Sequence, residues 1–241
     1  MFWDGRAATI EVQVFHPVRN RNEMNLPWRQ AAQRLNGDPQ YRAAFRQVFG
    51  NHLVDSTMVA NVVGQFVRTL LSYRALYDRV IQGLDTFDKD QRMGYELAND
   101  MTRGDCLHCH PIDDIPLGTT FLFSNNGLDA AATPDAFADK GRGAITGRAA
   151  DNGKFKIPSL RNLVFTAPYM HDGRFATLAE VIDFYSEGVK PSPTIDNKME
   201  FVHAGGAHLS ATEKRQLLAF LLTMSDTAFV TDPAHGRPGR W

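Results

Sequence analysis

The residues with the clearest chemistry are Cys106-Leu107-His108-Cys109-His110. In the spacing C-x-x-C-H, two thiols can add across the vinyl groups of one porphyrin while the adjacent imidazole binds the iron from one face. Structural zinc would use the same cysteines but needs a second ligand pair at close spacing, and His203 and His208 are remote and without Cys company. A thioredoxin-like redox pair needs a βαβ setting, which the surrounding helical pattern does not supply. Covalent haem is favoured over both. The chain has 2 cysteines in all, so no disulfide framework holds it together.

Helices must position this site. Asp88-Lys89-Asp90-Gln91 has capping-box spacing and predicts a helix running towards Met101, which delivers the chain to Cys106. Residues 111–154 are rich in Gly, Asp, Asn and Ala, a composition suited to a long structured loop that wraps something. A porphyrin offers an apolar disc to cover, and Phe121, Phe123, Phe137 and Phe155 are available, although each also reads as an ordinary core residue. Upstream, Tyr41, Phe45 and Phe49 within Pro39–Phe49, and Val62, Phe66 and Leu70 within Thr57–Tyr73, recur every fourth residue. They predict helices that pack on each other. Residues 1–25 read as irregular chain around one short helix. Thr177 with Glu180, and Ser210 with Glu213, predict helix starts before Val181–Ser186 and Leu217–Met224. No strand shows convincing alternation, so the expected class is mainly α with long loops.

Composition narrows the function classes. The 241 residues are 43% apolar and 22% charged, as in a soluble globular protein. The 26 basic and 27 acidic residues leave a formal charge of -1, so no global field favours nucleic acid or an anionic membrane. Leu217–Met224, the longest nearly uninterrupted apolar stretch, is far short of the ~20 residues that span a bilayer. Met1-Phe2-Trp3-Asp4-Gly5-Arg6 lacks the apolar core of a signal peptide, which implies a cytoplasmic chain or one that begins inside a longer protein.

Several separated motifs carry a resemblance: Phe2-Trp3-Asp4-Gly5-Arg6-Ala7, Gln13 with Pro17, Glu23-Met24, the C-x-x-C-H, Pro158-Ser159-Leu160-Arg161-Asn162, Thr166-Ala167-Pro168-Tyr169-Met170-His171-Asp172-Gly173 and the closing Leu209 to Leu222 segment. In content and order the chain resembles the bacterial di-haem cytochrome c peroxidases and the related methylamine-utilisation MauG proteins. The resemblance implies a cytochrome c-like helical haem domain over 84–241 and the remainder of a second, peroxidatic cytochrome c-like domain over 1–83. It also implies an upstream attachment motif for a first haem, beyond the start of this chain.

The same resemblance makes Glu23 the distal acid-base residue of the first haem, since a carboxylate near the iron can move a proton between peroxide oxygens. Gln13 and Pro17 would shape that pocket, with His16 a rival base. Trp3 takes the place of a tryptophan between the haems, where an indole can relay electrons, or it is simply packed. Thr166 and Pro168 match positions whose backbone carbonyls help hold calcium between the domains. Lys156, Arg161 and His171 are candidates for the haem propionates. Opposite His110, the resemblance places Tyr185 as the second axial ligand, the MauG-type choice, where the classical peroxidases carry methionine; Met170 and Met199 remain alternatives. A phenolate stabilises the ferric state, whereas a thioether favours the ferrous one.

The expected protein is a haem c-dependent, calcium-containing peroxidase-like oxidoreductase. It would reduce hydrogen peroxide with electrons from a protein donor, such as a small cytochrome c or cupredoxin, or from a protein substrate. Its alternative is a mono-haem electron-transfer protein without peroxide chemistry. A periplasmic address follows from the chemistry of thioether attachment, which in bacteria occurs after export on reduced thiols. The oligomeric state is open, a homodimer included.

Overall fold

The computed structural model describes residues 1–112, 117–199 and 201–236. It is 49% helix and 3% strand, and it divides into two compact units.

The first unit contains Met1–Phe2, Arg6–Leu71 and the segment from Asp232 onwards. Its helices are α1 (Ile10–Arg19), α2 (Trp28–Gly37), α3 (Pro39–Phe49) and α4 (Ser56–Thr69). Side-chain oxygens open three of them: Thr9 accepts from the Val12 N–H, Asp38 from Gln40 and Tyr41, and Asp55 from Met58. α4 packs on α1 beside the buried Ala60 and Gly64. At Gly64 an added Cβ would lie 2.7 Å from the Glu11 carboxylate. α1 takes this face of α4 and α3 packs mainly on α2, so the two aromatic and aliphatic stripes do not form the main packing that their spacing predicts. Tyr41 and Phe66 remain 49% and 47% exposed.

The second unit contains Trp3–Gly5 and Ser72–Thr231. Along it run α5 (Leu76–Ile81), α6 (Lys89–Asn99), α7 (Cys106–Cys109), α8 (Arg142–Thr146), α9 (Leu178–Asp183), α10 (Ala211–Leu222) and α11 (Thr227–Val230). A two-residue antiparallel pair, β1 (Phe123–Ser124) with β2 (Phe155–Lys156), closes the long loop. α6 and α10 form the main packing, and their backbones approach so closely that a Cβ on Gly94 would fall 2.0 Å from the Gln216 carbonyl oxygen. The Phe220 ring, fully buried, meets Tyr77, Phe87 and Tyr95 at centroid distances of 6.3, 6.2 and 5.5 Å. Leu97, Leu107, Ile182 and Met224 complete this core, each buried side chain contributing about 1.5–3 kcal/mol relative to exposure.

The break falls at Leu71–Ser72 rather than at 83/84. Fully buried Asp226 explains why residues after Leu71 join the second unit. Its carboxylate accepts from the Ser72 hydroxyl and from the Tyr73 and Arg74 N–H groups at 3.1, 3.0 and 2.9 Å. For the same reason α4 stops at Thr69 instead of reaching Tyr73.

Candidate functional site

The capping box predicted at Asp88 is present and starts α6, whose C-terminal end leads through a turn to the short helix Cys106–Cys109. Leu107 points into the core and anchors this turn. Both cysteines are free thiols. Burial pushes the Cys106 thiol up to about 12, helped by the neighbouring Asp105 and Cys109, and pushes Cys109 up to about 11. In the folded chain both thiols are therefore held in the protonated form at neutral pH.

His110 is oriented for ligation. Its Nδ1 lies 3.2 Å from the Gly118 carbonyl oxygen and 3.0 Å from that of Pro158. Both partners accept only, so Nδ1 carries the proton and Nε2 presents its lone pair, the arrangement expected of a metal-binding imidazole. Burial lowers the His110 pKa and keeps the ring neutral, against the opposing pull of the two carbonyls. Gly118 can come this close because it adopts φ +64° and an added Cβ would press within 3.1 Å of the Leu160 nitrogen. Two free thiols and a neutral, oriented imidazole in C-x-x-C-H spacing fit a covalent haem.

Tyr185 stands on a single π-helical turn, Phe184–Gly188, that continues α9. Such turns often re-aim a side chain at a functional site. The phenol is pushed up to about 12 by burial, opposed by a hydrogen bond from Asn126 and reinforced by the nearby Cys106 and Cys109. Asn126 Nδ2 donates to Tyr185 Oη at 2.9 Å and lies 3.8 Å from Met170 Sδ. Tyr185, Met170 and Met199 all pack against one apolar cluster of Leu128, Phe184 and Val189. The three candidate ligands thus share a neighbourhood. Asn126 is the polar group that sequence reading passed over, although the Asn-Gly pair it forms with Gly127 marks a turn.

Arg161, read from sequence as a propionate contact, is paired with Asp78. Its guanidinium donates to Asp78 Oδ2 at 2.9 Å and Oδ1 at 2.6 Å, with both side chains under a tenth exposed. Asp78 also accepts from the Ala75 N–H, so the pair is well satisfied. Lys156 is half-buried, and burial lowers its pKa. Its N–H donates to the Trp3 carbonyl at 2.8 Å and its Nζ lies 5.7 Å from the centre of the Trp3 ring, which is 38% exposed. His171 stacks on Phe155 at 3.5 Å, with Nε2 4.0 Å from Asp139, and burial lowers its pKa. Phe137 packs instead on Gly153, and Phe121 is 58% exposed. Among the described residues, the carbonyls of Thr166 and Pro168 accept no backbone hydrogen bond outside the regular elements.

In the first unit, Gln13 and Pro17 lie one turn apart on α1. Proline has no N–H, so the Gln13 carbonyl loses its helical donor, and the buried Gln13 Oε1 has no partner among the described residues. The turn after α1 folds back, with the Met24 N–H on the Pro17 carbonyl at 3.2 Å, and Glu23 accepts from Asn20 Nδ2 at 2.8 Å. His16 instead meets the edge of Phe2.

The sequence model of the di-haem cytochrome c peroxidase family matches residues 1–86. The methylamine utilization protein MauG of Methylophilus methylotrophus is 30% identical over 232 residues, covering 95% of this chain and 64% of that protein. The cytochrome-c peroxidase IdrP2 of Pseudomonas sp. (strain SCT) is 31% identical over 263 residues, covering 98% and 67%. The crystal structure of a MauG-like protein associated with microbial copper homeostasis superimposes with a TM-score of 0.83 at 31% identity, covering 96% of this chain and 73% of that one. The chain thus spans about two thirds of the length of the relatives it matches, under that share for the MauG protein. The haem-fitting Cys106–His110 segment, the helical fold and these similarities converge: the chain belongs to the di-haem cytochrome c peroxidase and MauG family.

Proposed function

We propose that the chain serves a periplasmic, haem-dependent oxidoreductase that reduces hydrogen peroxide with electrons from a protein donor, such as a small cytochrome c or cupredoxin, or from a protein substrate. The observation that carries this is His110, held by two carbonyls with its Nε2 lone pair available beside Cys106 and Cys109. Haem c, when bound to these residues, supplies a redox-active iron that exchanges single electrons.

The remaining roles belong to this chain's own side chains. Tyr185 would supply a second ligand to the haem iron that His110 would hold. Glu23 carries the proton between peroxide oxygens in the first unit, with Gln13 and Pro17 shaping the pocket. Trp3 relays electrons, with Lys156 set against its ring. Thr166 and Pro168 offer carbonyl oxygens, the hard donors that calcium prefers. Arg161, paired with Asp78, fixes the Pro158–Asn162 segment that orients His110, and Lys156, Arg161 and His171 are the partners proposed for the propionates. The periplasmic address rests on thioether attachment; among the described residues no helix is long and apolar enough to cross a membrane.

A mono-haem electron-transfer protein without peroxide chemistry is the alternative reading. A pyridine haemochrome assay on native protein, paired with peroxide-dependent oxidation of a reduced donor, separates the two. We expect covalent haem that disappears in Cys106→Ala with Cys109→Ala, little peroxide turnover from this chain alone, and, in a longer protein that also carries the upstream haem segment, turnover that Glu23→Gln lowers by ~10²–10⁴-fold. One haem per native polypeptide with no peroxide turnover would return the electron-transfer reading.

A further inference from the structure

We propose that Asn126 is a positioning residue that selects Tyr185 over Met170 as the second axial ligand of the haem held by His110. The inference rests on the ligation reading above and adds the element that decides it. Three observations carry it: one amide reaches both competing ligand atoms, that amide is rigidly mounted, and Met170 is held in an unfavourable backbone conformation.

A side-chain amide NH2 has two hydrogens and no acceptor capacity on nitrogen. At 2.9 Å its contact with Tyr185 Oη is a full hydrogen bond, whereas the 3.8 Å contact with Met170 Sδ is the weak kind sulfur accepts. A donor on the phenol oxygen favours the electron-rich form of that oxygen, the form that binds a ferric iron, through a charge-assisted hydrogen bond. The same donor engages the Met170 sulfur lone pairs. One group therefore favours the hard ligand and restrains the soft one.

The mounting is stiff on both sides. Asn125, 3% exposed, donates to Ser192 Oγ and Thr194 Oγ1 at 3.0 Å each and accepts from the Gly127 N–H at 3.0 Å. Gly127 stands at φ +75°, and an added Cβ would lie 2.7 Å from Val189 Cγ1. Asn126 is thus clamped between two fixed residues. On the other side, the Tyr185 carbonyl accepts from the Ala207 N–H at 3.1 Å, and Gly206 at φ +144° passes so near that an added Cβ would sit 2.7 Å from that oxygen. Met170 has φ +70°, a region that a flexible non-glycine residue occupies only when its surroundings impose it. Its sulfur is held at Asn126 by the fold rather than by local preference.

The test uses the full chain loaded with haem in a host carrying a c-type maturation system. Asn126→Leu removes the amide, and Asn126→Asp keeps its shape while replacing the donor with acceptors. Ferric absorption, magnetic circular dichroism and the midpoint potential report the ligand. In both variants we expect the ratio of phenolate to thioether charge-transfer bands to fall at least tenfold and the midpoint potential to move positive; Asn126→Leu with Met170→Leu should show no thioether band. Far-UV circular dichroism and haem stoichiometry confirm folding. If both single variants keep the original bands and potential while Tyr185→Phe loses them, Asn126 does not select the ligand. Should Tyr185→Phe itself leave the spectrum unchanged, the ligation reading falls and this proposal falls with it.

Discussion

In the first unit Thr9, Asp38 and Asp55 cap α1, α3 and α4 with a side-chain oxygen, and in the second Asp88, Thr177 and Ser210 cap α6, α9 and α10 with reciprocal capping boxes. The interiors differ. The second unit buries Tyr77, Leu97, Leu217, Phe220, Leu221 and Met224 in one cluster, whereas in the first unit the buried apolar side chains are Ala7, Val54 and Ala60 among the described residues. Val12, Val62 and Phe66 of the first unit are each more than a third exposed. Caps decide where a helix begins and are worth about 1 kcal/mol each; burial decides whether helices hold together. Local sequence signals are equally clear in both units, but their tertiary support is unequal.

The largest effect that should expose this contrast comes from Asp78→Ala. It leaves the Arg161 guanidinium buried without its carboxylate, a loss of about 3–5 kcal/mol. Denaturant unfolding should show that loss in the second unit, with hydrogen exchange in α1 and α4 unchanged. A variant as stable as the parent would mean that the buried pair is not what ties α5 to the Pro158–Asn162 segment.

A smaller pair of substitutions asks whether polar groups are matched as unequally as apolar ones. Asn125 in the second unit is hydrogen-bonded through both its amide nitrogen and its oxygen, so Asn125→Leu should strand Ser192, Thr194 and the Gly127 N–H at a cost of about 1–3 kcal/mol. Gln13 in the first unit has a buried Oε1 with no partner among the described residues, so Gln13→Met should be neutral or stabilise by up to about 1 kcal/mol. Thermal melts of the two variants test the opposite signs, and equal losses would erase the distinction.

The sequence made the attachment site and the capped helices legible because both are short-range. C-x-x-C-H is read within five residues, and the capping boxes at Asp88, Thr177 and Ser210 within four, and all three appear in the structure. Periodicity also located α3 and most of α4, but it could not choose their partner: the small residues Ala60 and Gly64 admit α1, and the bulky stripe that looked like a packing face is left half in water. α2 escaped because it has no side-chain cap bond, and α5 because it is only 6 residues long and its cap comes from Asp78 inside the helix rather than from an N-cap side chain. At the site, types and spacing pointed to Cys106, Cys109 and His110. They could not show that Arg161 faces Asp78, because that pairing joins residues far apart in the chain. Gly118, Pro158 and Asn126 act through carbonyls or a single amide, which leave little trace in residue identity.

The smallest predicted effect uses acid to compare an exposed ion pair in each unit. In the first unit, Arg68 donates to Glu11 at 2.5 Å across α1 and α4, and this hydrogen bond lowers the Glu11 pKa from 4.5 to about 2. In the second, Arg103 holds Glu213 at the start of α10 and likewise lowers it to about 2. Since folding lowers both values, each pair's contribution is complete above pH 4.5 and is lost as pH falls toward 2. The consequences should differ. α10 keeps Leu217, Phe220 and Leu221 in the core when Glu213 is protonated, whereas α1 and α4 have the Glu11–Arg68 clamp and little buried apolar surface. Amide protection measured between pH 5 and pH 2 should therefore fade in α1 and α4 before it fades in α10. Glu11→Gln should produce that early loss at neutral pH and flatten the acid dependence of the first unit, while Glu213→Gln should leave α10 protected. If Glu11→Gln and the parent chain lose protection in α1 in parallel as the pH drops, the clamp is not the titrating element, and the contrast between the units must rest on packing alone.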